Sequence, residues 1–146
     1  MKIYLDVCAI QRPLDTPNQI RIVLESEAVL GLIAYCDSGQ AEILSSEALL
    51  YEGEQGNLAV RKEHTLAVLA KAGSVISVTE KDKGRAAEFM QFGIKPLDAL
   101  HLALAESGHA DYFCTCDDRF LRNARKVKDL SVKVINPVDL VQEIEK

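Results

Sequence analysis

Along the chain, short runs of β-branched and aromatic residues alternate with longer stretches whose apolar positions recur every three to four residues. The first run, Ile3-Tyr4-Leu5-Asp6-Val7-Cys8, has the composition of a buried strand and carries one carboxylate, Asp6, near its end. Gln11 to Asn18 holds Pro13 and Pro17 among other turn formers and reads as a loop. From about Arg21 to Ser38, the residues Ile22, Val29, Leu30 and Ile33 fall at helical spacing, and Gly39 supplies a stop. Ala41-Glu42-Ile43-Leu44 predicts a second strand. Ser46 then suits the N-cap of a helix through Leu49, Leu50 and Glu52, which Gly53 and Gly56 are expected to interrupt.

A helix from about Leu58 to Lys71 follows, with Leu66, Leu69 and Ala70 as its inner face and Gly73 at its end. Val75-Ile76-Ser77-Val78 predicts the third strand, and Glu80 to Phe92 a helix. Pro96 opens the next helix, Leu97 to Ser107, in which Leu97, Ala99, Leu100, Leu102, Ala103, Leu104 and Ala105 leave almost no polar face, so it must be central. Tyr112 to Thr115 predicts a fourth strand, Asp118 to Arg125 a helix, Val132 to Ile135 a fifth strand and Val138 to Ile144 a closing helix. Strands alternating with helices imply an α/β fold: a mainly parallel five-stranded sheet between helices. With no linker or repeat, 146 residues predict one domain over 1–146.

Composition narrows the function classes. The chain is 48% apolar and 27% charged, in the range of soluble globular proteins, and its apolar runs are too short to span a bilayer. Met1-Lys2 leads straight into a strand with no secretory pattern, which predicts a cytoplasmic protein. The four cysteines include no CxxC pair. Cys114 and Cys116 share a strand face but have no second pair to complete a zinc site, so they are expected reduced and mostly buried. A net charge of −5 argues against a protein that merely coats nucleic acid, yet suits an acidic metal pocket inside a basic rim.

Three carboxylates occupy unusual positions: Asp6 at the end of a buried strand, Asp98 in the first turn of the apolar helix, and Asp117 or Asp118 directly after the fourth strand. Each has an ordinary structural use. Asp6 suits an Asx turn, Asp98 the positive end of its helix, and Asp117 or Asp118 an N-cap. Only their convergence at the sheet's C-terminal edge favours chemistry, because clustered carboxylates repel one another unless a cation is present or one takes up a proton.

Four segments then carry a resemblance: Tyr4-Leu5-Asp6; Ser45-Ser46-Glu47-Ala48-Leu49-Leu50-Tyr51-Glu52; Pro96-Leu97-Asp98-Ala99-Leu100-His101-Leu102-Ala103; and Cys114-Thr115-Cys116-Asp117-Asp118. In this order, and spanning nearly the whole chain, they resemble the PIN domain, the fold of the VapC-like ribonuclease toxins. The resemblance implies a PIN-like three-layer α/β/α fold and a Mg²⁺- or Mn²⁺-dependent endoribonuclease, a hydrolase that opens RNA phosphodiesters. Asp6 and Asp98 would contact the metal directly, with Glu52 and Asp117 completing the site or orienting the nucleophilic water. Glu47 and Glu54 rival Glu52, and Asp118 rivals Asp117. It further implies homodimerisation and an antitoxin partner, as in toxin–antitoxin pairs.

One departure is Cys8, where the family usually has Asn or Ser; a thiol is the weaker hydrogen-bond partner. Arg12, Arg119, Arg122, Arg125 and Lys126 are candidate contacts to the RNA backbone, although Arg119, Arg122 and Lys126 also have the spacing of a solvated helix face. His101 lies about one turn after Asp98 and is expected as a satisfied interior histidine, with a general acid as the lesser reading. A zinc site of Cys8, Cys116 and His101 carries little weight, because it leaves the carboxylates idle. Two alternatives compete: a PIN-fold interaction module that cleaves nothing, which Cys8 favours, and a phosphoacceptor receiver domain. The receiver needs an aspartate after the third strand, where this chain has Thr79-Glu80.

Overall fold

The computed structural model describes residues 1–146. Strand β1 (Lys2–Leu5) is buried on both faces and stops before Asp6, whose carboxylate accepts a hydrogen bond from the Val7 N–H. That cap opens a short helix, α1 (Val7–Gln11), so Asp6 stands where the strand ends, as its position in the run predicts. A 3₁₀ turn with Pro13 (Arg12–Leu14) leads to α2 (Ile20–Asp37). The rest runs β2 (Glu42–Ile43), β3 (Ser45–Ser46), α3 (Glu47–Glu54), α4 (Ala59–Leu69), β4 (Val75–Ile76), α5 (Glu80–Met90) and α6 (Pro96–Ser107). It closes with β5 (Tyr112–Cys114), α7 (Asp118–Ala124), β6 (Lys133–Ile135) and α8 (Pro137–Ile144).

All strand pairs are parallel, and helices flank the sheet. The main sheet has the order β2-β1-β5-β6, with Ile3 opposite both Ile43 and Tyr112, and Cys114 opposite Leu5 and Ile135. The five expected strands are all present, but their hydrogen bonding is divided. The second strand splits at Leu44: its first half pairs with β1, while Ser45 and Ser46 pair with Val75 and Ile76 as a separate two-stranded sheet. The ladder to β1 ends there because β1 turns into α1 at Asp6. A parallel sheet points every strand the same way, so Asp6, the Ser46–Glu47 junction and Thr115-Cys116-Asp117 emerge at one edge.

Helix α6 is the central helix its composition demands. Ala99, His101, Leu102, Ala103, Leu104 and Ala105 are buried, and it packs chiefly on α5 and also on α3. Helix α3 runs through Gly53, where a break was expected, and ends before Gly56. A β-carbon at Gly53 would stand 3.0 Å from Thr65 Cγ2, so glycine here serves the close approach of α3 and α4. Between helices and sheet, Tyr4 stacks on Phe113 and Phe113 tilts against Phe120, each pair with ring centroids 5.0 Å apart.

A buried carboxylate on α2, Glu25, braces the other side of the sheet. It accepts from Arg12 at 2.8 Å, Arg21 at 3.2 Å and the side-chain amide of Asn136, tying the 3₁₀ turn and the start of α8 to α2. No helix is long and apolar enough to cross a membrane.

Because Leu102 is fully enclosed, Leu102→Ala is expected to lower the unfolding free energy by about 2–5 kcal/mol. At Leu58, which is exposed, the same change is expected to shift it by less than about 0.5 kcal/mol. Urea denaturation of both variants measures the contrast.

Candidate active site

Asp6 is 6% exposed and held on both carboxylate oxygens. Oδ1 accepts from the Val7 N–H at 2.9 Å; Oδ2 accepts from the Thr115 hydroxyl at 2.9 Å and the Cys8 thiol at 3.3 Å. Burial pushes its carboxyl above the ordinary range, and the charge of Glu52 adds to the shift. Thr115, just past β5, also accepts from the Asp117 N–H at 3.1 Å and so joins two of the predicted acids.

Glu52 lies on α3, with one oxygen 2.7 Å from His101 Nε2. One carboxylate oxygen of Asp6, one of Glu52 and one ring nitrogen of His101 lie within 4.8 Å of one another. Behind them, His101 Nδ1 is 2.7 Å from the Tyr4 hydroxyl, which is 2.8 Å from Ser46 Oγ. Ser46 Oγ in turn accepts from the Leu49 N–H as the N-cap of α3.

Asp98 sits in the first turn of α6, half-buried, with its carboxyl pushed up to about 6. Burial is the largest cause, and the charges of Asp6, Asp117 and Glu52 all add to it. Asp117 caps α7, its Oδ1 accepting from the Arg119 and Phe120 N–H groups at 3.1 Å each. Asp98 and Asp117 line one small cleft with Lys95, Arg119 and Asn123.

The rival acids are engaged elsewhere or lie outside. The Glu47 carboxylate accepts from the Val78 N–H, and Glu54 is exposed at the far end of α3. Asp118 takes two hydrogen bonds from Arg21, which holds its carboxyl below the usual range. The structure therefore gathers Asp6, Glu52, Asp98 and Asp117 at one edge and leaves Glu47, Glu54 and Asp118 out.

The candidate arginines divide similarly. Arg119 lines the acidic cleft, whereas Arg125 reaches the Val134 carbonyl at 3.4 Å. Arg122 and Lys126 stand on exposed surface. Arg12 is paired with Asp15 and Glu25, and lines a second cleft of about 230 Å³ with Gln11, Arg61, Cys8, Cys116 and Asp117. Sequence reasoning missed Lys95, Arg61 and the supporting roles of Tyr4, Ser46 and Thr115. Tyr4, near the end of β1 and two residues before Asp6, was a usable signal.

The donor set is oxygen-rich and self-repelling, which suits a hard divalent cation. A zinc set of Cys8, Cys116 and His101 is not assembled. The neighbouring Cys116, then burial and the charge of Asp6, push the Cys8 thiol well up, so it keeps its proton and donates to Asp6, and both nitrogens of His101 are engaged elsewhere.

Comparison with known proteins places this geometry. The model of the PIN domain family matches residues 3–126. Among solved structures, a chain of VapBC2 from Rickettsia felis, crystallised bound to a DNA fragment from their promoter, superposes with a TM-score of 0.55. The match covers 93% of this chain and 98% of that one at 16% identity, a likeness of fold. No curated protein matches the sequence.

Two expectations follow from the geometry. The folded Asp98 carboxyl titrates near 6 against an ordinary 3.8, so the folded state binds a proton more readily than the unfolded one between those values. Without metal, this group's penalty on folding is full above pH 6 and fades as pH falls towards 4. Asp98→Asn is thus expected to melt a few degrees above the wild type at pH 7 in EDTA, with the gap closing by about pH 4; a variant that melts lower at pH 7 contradicts the account. The second concerns Asp6. Hydrogen bonds to a charged group contribute about 1.5–3 kcal/mol, so Thr115→Val is expected to weaken divalent-cation binding roughly 10- to 100-fold. Cys8→Ala, which removes only a weak thiol donor, is expected to change it far less when both are titrated with Mn²⁺.

Proposed function

The chain belongs to the PIN domain family, and from that premise we propose that it is a Mg²⁺- or Mn²⁺-dependent endoribonuclease, the toxin of a toxin–antitoxin pair. The carrying observation is the gathering of Asp6, Glu52, Asp98 and Asp117, from four separate parts of the chain, closely enough that the charges of Asp6, Asp117 and Glu52 add to the larger effect of burial in raising the Asp98 carboxyl to about 6. A fold that held such a cluster for stability alone would gain by losing it.

Asp6 and Asp98 would hold the ion, and Glu52 and Asp117 would complete its surroundings or orient the attacking water. When bound, such an ion supplies a water of lowered pKa and stabilises charge developing on the phosphoryl oxygens. The chain's own groups do the rest. Thr115 and the Val7 N–H fix the Asp6 carboxylate, and the N-terminus of α7 fixes Asp117. Lys95 and Arg119 flank Asp98 and Asp117 at the cleft, where they can hold the phosphates on either side of the scissile bond. Single-stranded or looped RNA suits this shallow edge, since its backbone is free to enter.

Partner binding finds support on the surface. Ile20, Val23, Leu24 and Leu30 are exposed along α2, and Tyr51, Leu58 and Val60 around α3 and α4, which gives apolar area for a second copy and for an antitoxin. The toxin would act in the cytoplasm, where its RNA is. A PIN-fold module that cleaves nothing is the competing reading, favoured by the weak thiol at Cys8.

Purified protein incubated with structured and unstructured RNA in Mg²⁺ or Mn²⁺ is expected to cleave, and EDTA to abolish cleavage. Asp6→Asn and Asp98→Asn are each expected to lower the rate at least about 100-fold, because the ion's contribution to the transition state is several kcal/mol. Glu54→Gln, at the exposed end of α3, is expected to cleave like the wild type. Equal RNA degradation by wild type, Asp6→Asn and Asp98→Asn marks a contaminant and ends the catalytic claim.

A further inference from the structure

We propose that His101 is a positioning residue: it fixes the Glu52 carboxylate through a proton-ordered chain of hydrogen bonds that starts and ends on α3, and it is not itself a metal ligand. The inference rests on the reading of Glu52 as part of a metal site and adds how that carboxylate is held.

The chain has four links: Leu49 N–H to Ser46 Oγ at 3.1 Å, Ser46 Oγ to Tyr4 at 2.8 Å, Tyr4 to His101 Nδ1 at 2.7 Å, and His101 Nε2 to Glu52 at 2.7 Å. Ser46, Tyr4 and His101 are 0% exposed, so no bulk water supplies a missing partner. The two ends set the direction of every proton. A backbone N–H can only donate, and an ionised carboxylate can only accept. Ser46 Oγ therefore accepts from Leu49 and gives its own proton to the Tyr4 oxygen. The Tyr4 hydroxyl donates to the lone pair on His101 Nδ1, and the imidazole N–H at Nε2 donates to Glu52.

Reversing the chain fails on two counts. With the proton on Nδ1, His101 would donate to Tyr4 and Tyr4 to Ser46, leaving the Ser46 hydroxyl proton buried between two donors. An orphaned buried polar group of that kind costs about 1–3 kcal/mol. The bare Nε2 lone pair would then face the Glu52 carboxylate at 2.7 Å with no proton between them.

The same accounting decides between ligand and support for the three groups within 4.8 Å of one another. A metal ion needs a nitrogen lone pair. His101 Nδ1 spends its lone pair on Tyr4, and Nε2 carries the proton that Glu52 receives. The cluster is thus two carboxylates, Asp6 and Glu52, with an imidazole behind one of them. Partners that orient metal-binding carboxylates in this way typically contribute a factor of about 10–100 in metal affinity. The path also explains why a buried polar series of Ser46, Tyr4 and His101 runs through the centre of the fold: it joins β1, which leads into Asp6, to α3 and α6, which carry Glu52 and Asp98.

The test combines ¹⁵N NMR of the imidazole in metal-free protein with Mn²⁺ titration calorimetry of the wild type, Tyr4→Phe, His101→Gln and His101→Leu. The wild type is expected to show the ring proton on Nε2, with Nδ1 accepting from Tyr4. His101→Leu is expected to bind Mn²⁺ about 10- to 100-fold more weakly, while His101→Gln, whose amide N–H still reaches Glu52, keeps most of the affinity. Tyr4→Phe preserves the packing, breaks the second link and falls between. A proton on Nδ1, a His101→Gln variant as weak as His101→Leu, or a His101→Leu variant as tight as wild type each overturns the proposal. If His101→Leu does not fold, the tautomer and the other two variants still decide it. The expected tautomer and affinities in a protein that cleaves no RNA leave the positioning role standing and overturn the ribonuclease reading instead; a wild type that binds no Mn²⁺ overturns both.

Discussion

Holding several carboxylates together at a partly buried sheet edge is the constraint around which this protein is arranged. Burial raises the energy of each anion and its neighbours raise it further, as the upward shift of the Asp98 carboxyl records. The fold offsets part of this with fixed positive ends. Asp6 caps α1, Asp117 caps α7 and Asp98 lies in the first turn of α6, so three of the four acids meet helix N-termini. Glu52 has no such position and relies on His101. What these devices leave uncompensated is the attraction available to a divalent cation.

The scaffold makes the arrangement possible because its strands are parallel and β1 is internal. With β2 on one side and β5 on the other, β1 delivers Asp6 between the start of α3 and the Thr115 turn. A hydroxyl at Thr115 then touches Asp6 and the Asp117 backbone together. On the opposite flank, Arg21 draws Asp118 outwards and binds the Cys116 carbonyl, which holds the turn beneath Asp117 in shape. Asp118 thereby serves the scaffold, while its neighbour Asp117 caps α7 and lines the cleft with Asp98.

The sequence was most legible where one physical signal dominated. The apolar run of α6 and the Pro96 at its start marked the central helix and so made Asp98 conspicuous. Asp117 and Asp118, by contrast, have equal claim to a cap on paper, and only the distant Arg21 separates them. The same holds for Glu47 and Glu52, since nothing local reveals that Val78 claims one and His101 the other. Gly53 misled because glycine was read as a breaker, when its function is to let Thr65 approach. Asp6 ended β1 as its place in the apolar run suggested, but the helix α1 that its side chain caps was not foreseen. Glu25, buried among Arg12, Arg21 and Asn136, lay in an ordinary amphipathic stretch and gave no warning of its burial.

Local patterns thus placed the elements, while pairing between residues far apart in sequence decided which acids face the cleft. The most direct test of that account is a crystal structure grown with Mn²⁺ and phased to show anomalous scattering. The account predicts a Mn²⁺ peak within coordination distance of the Asp6 and Asp98 carboxylates, with His101 still hydrogen-bonded to Glu52. A protein saturated with Mn²⁺ that shows no peak there, or one whose ion is bonded to the His101 ring, would contradict it.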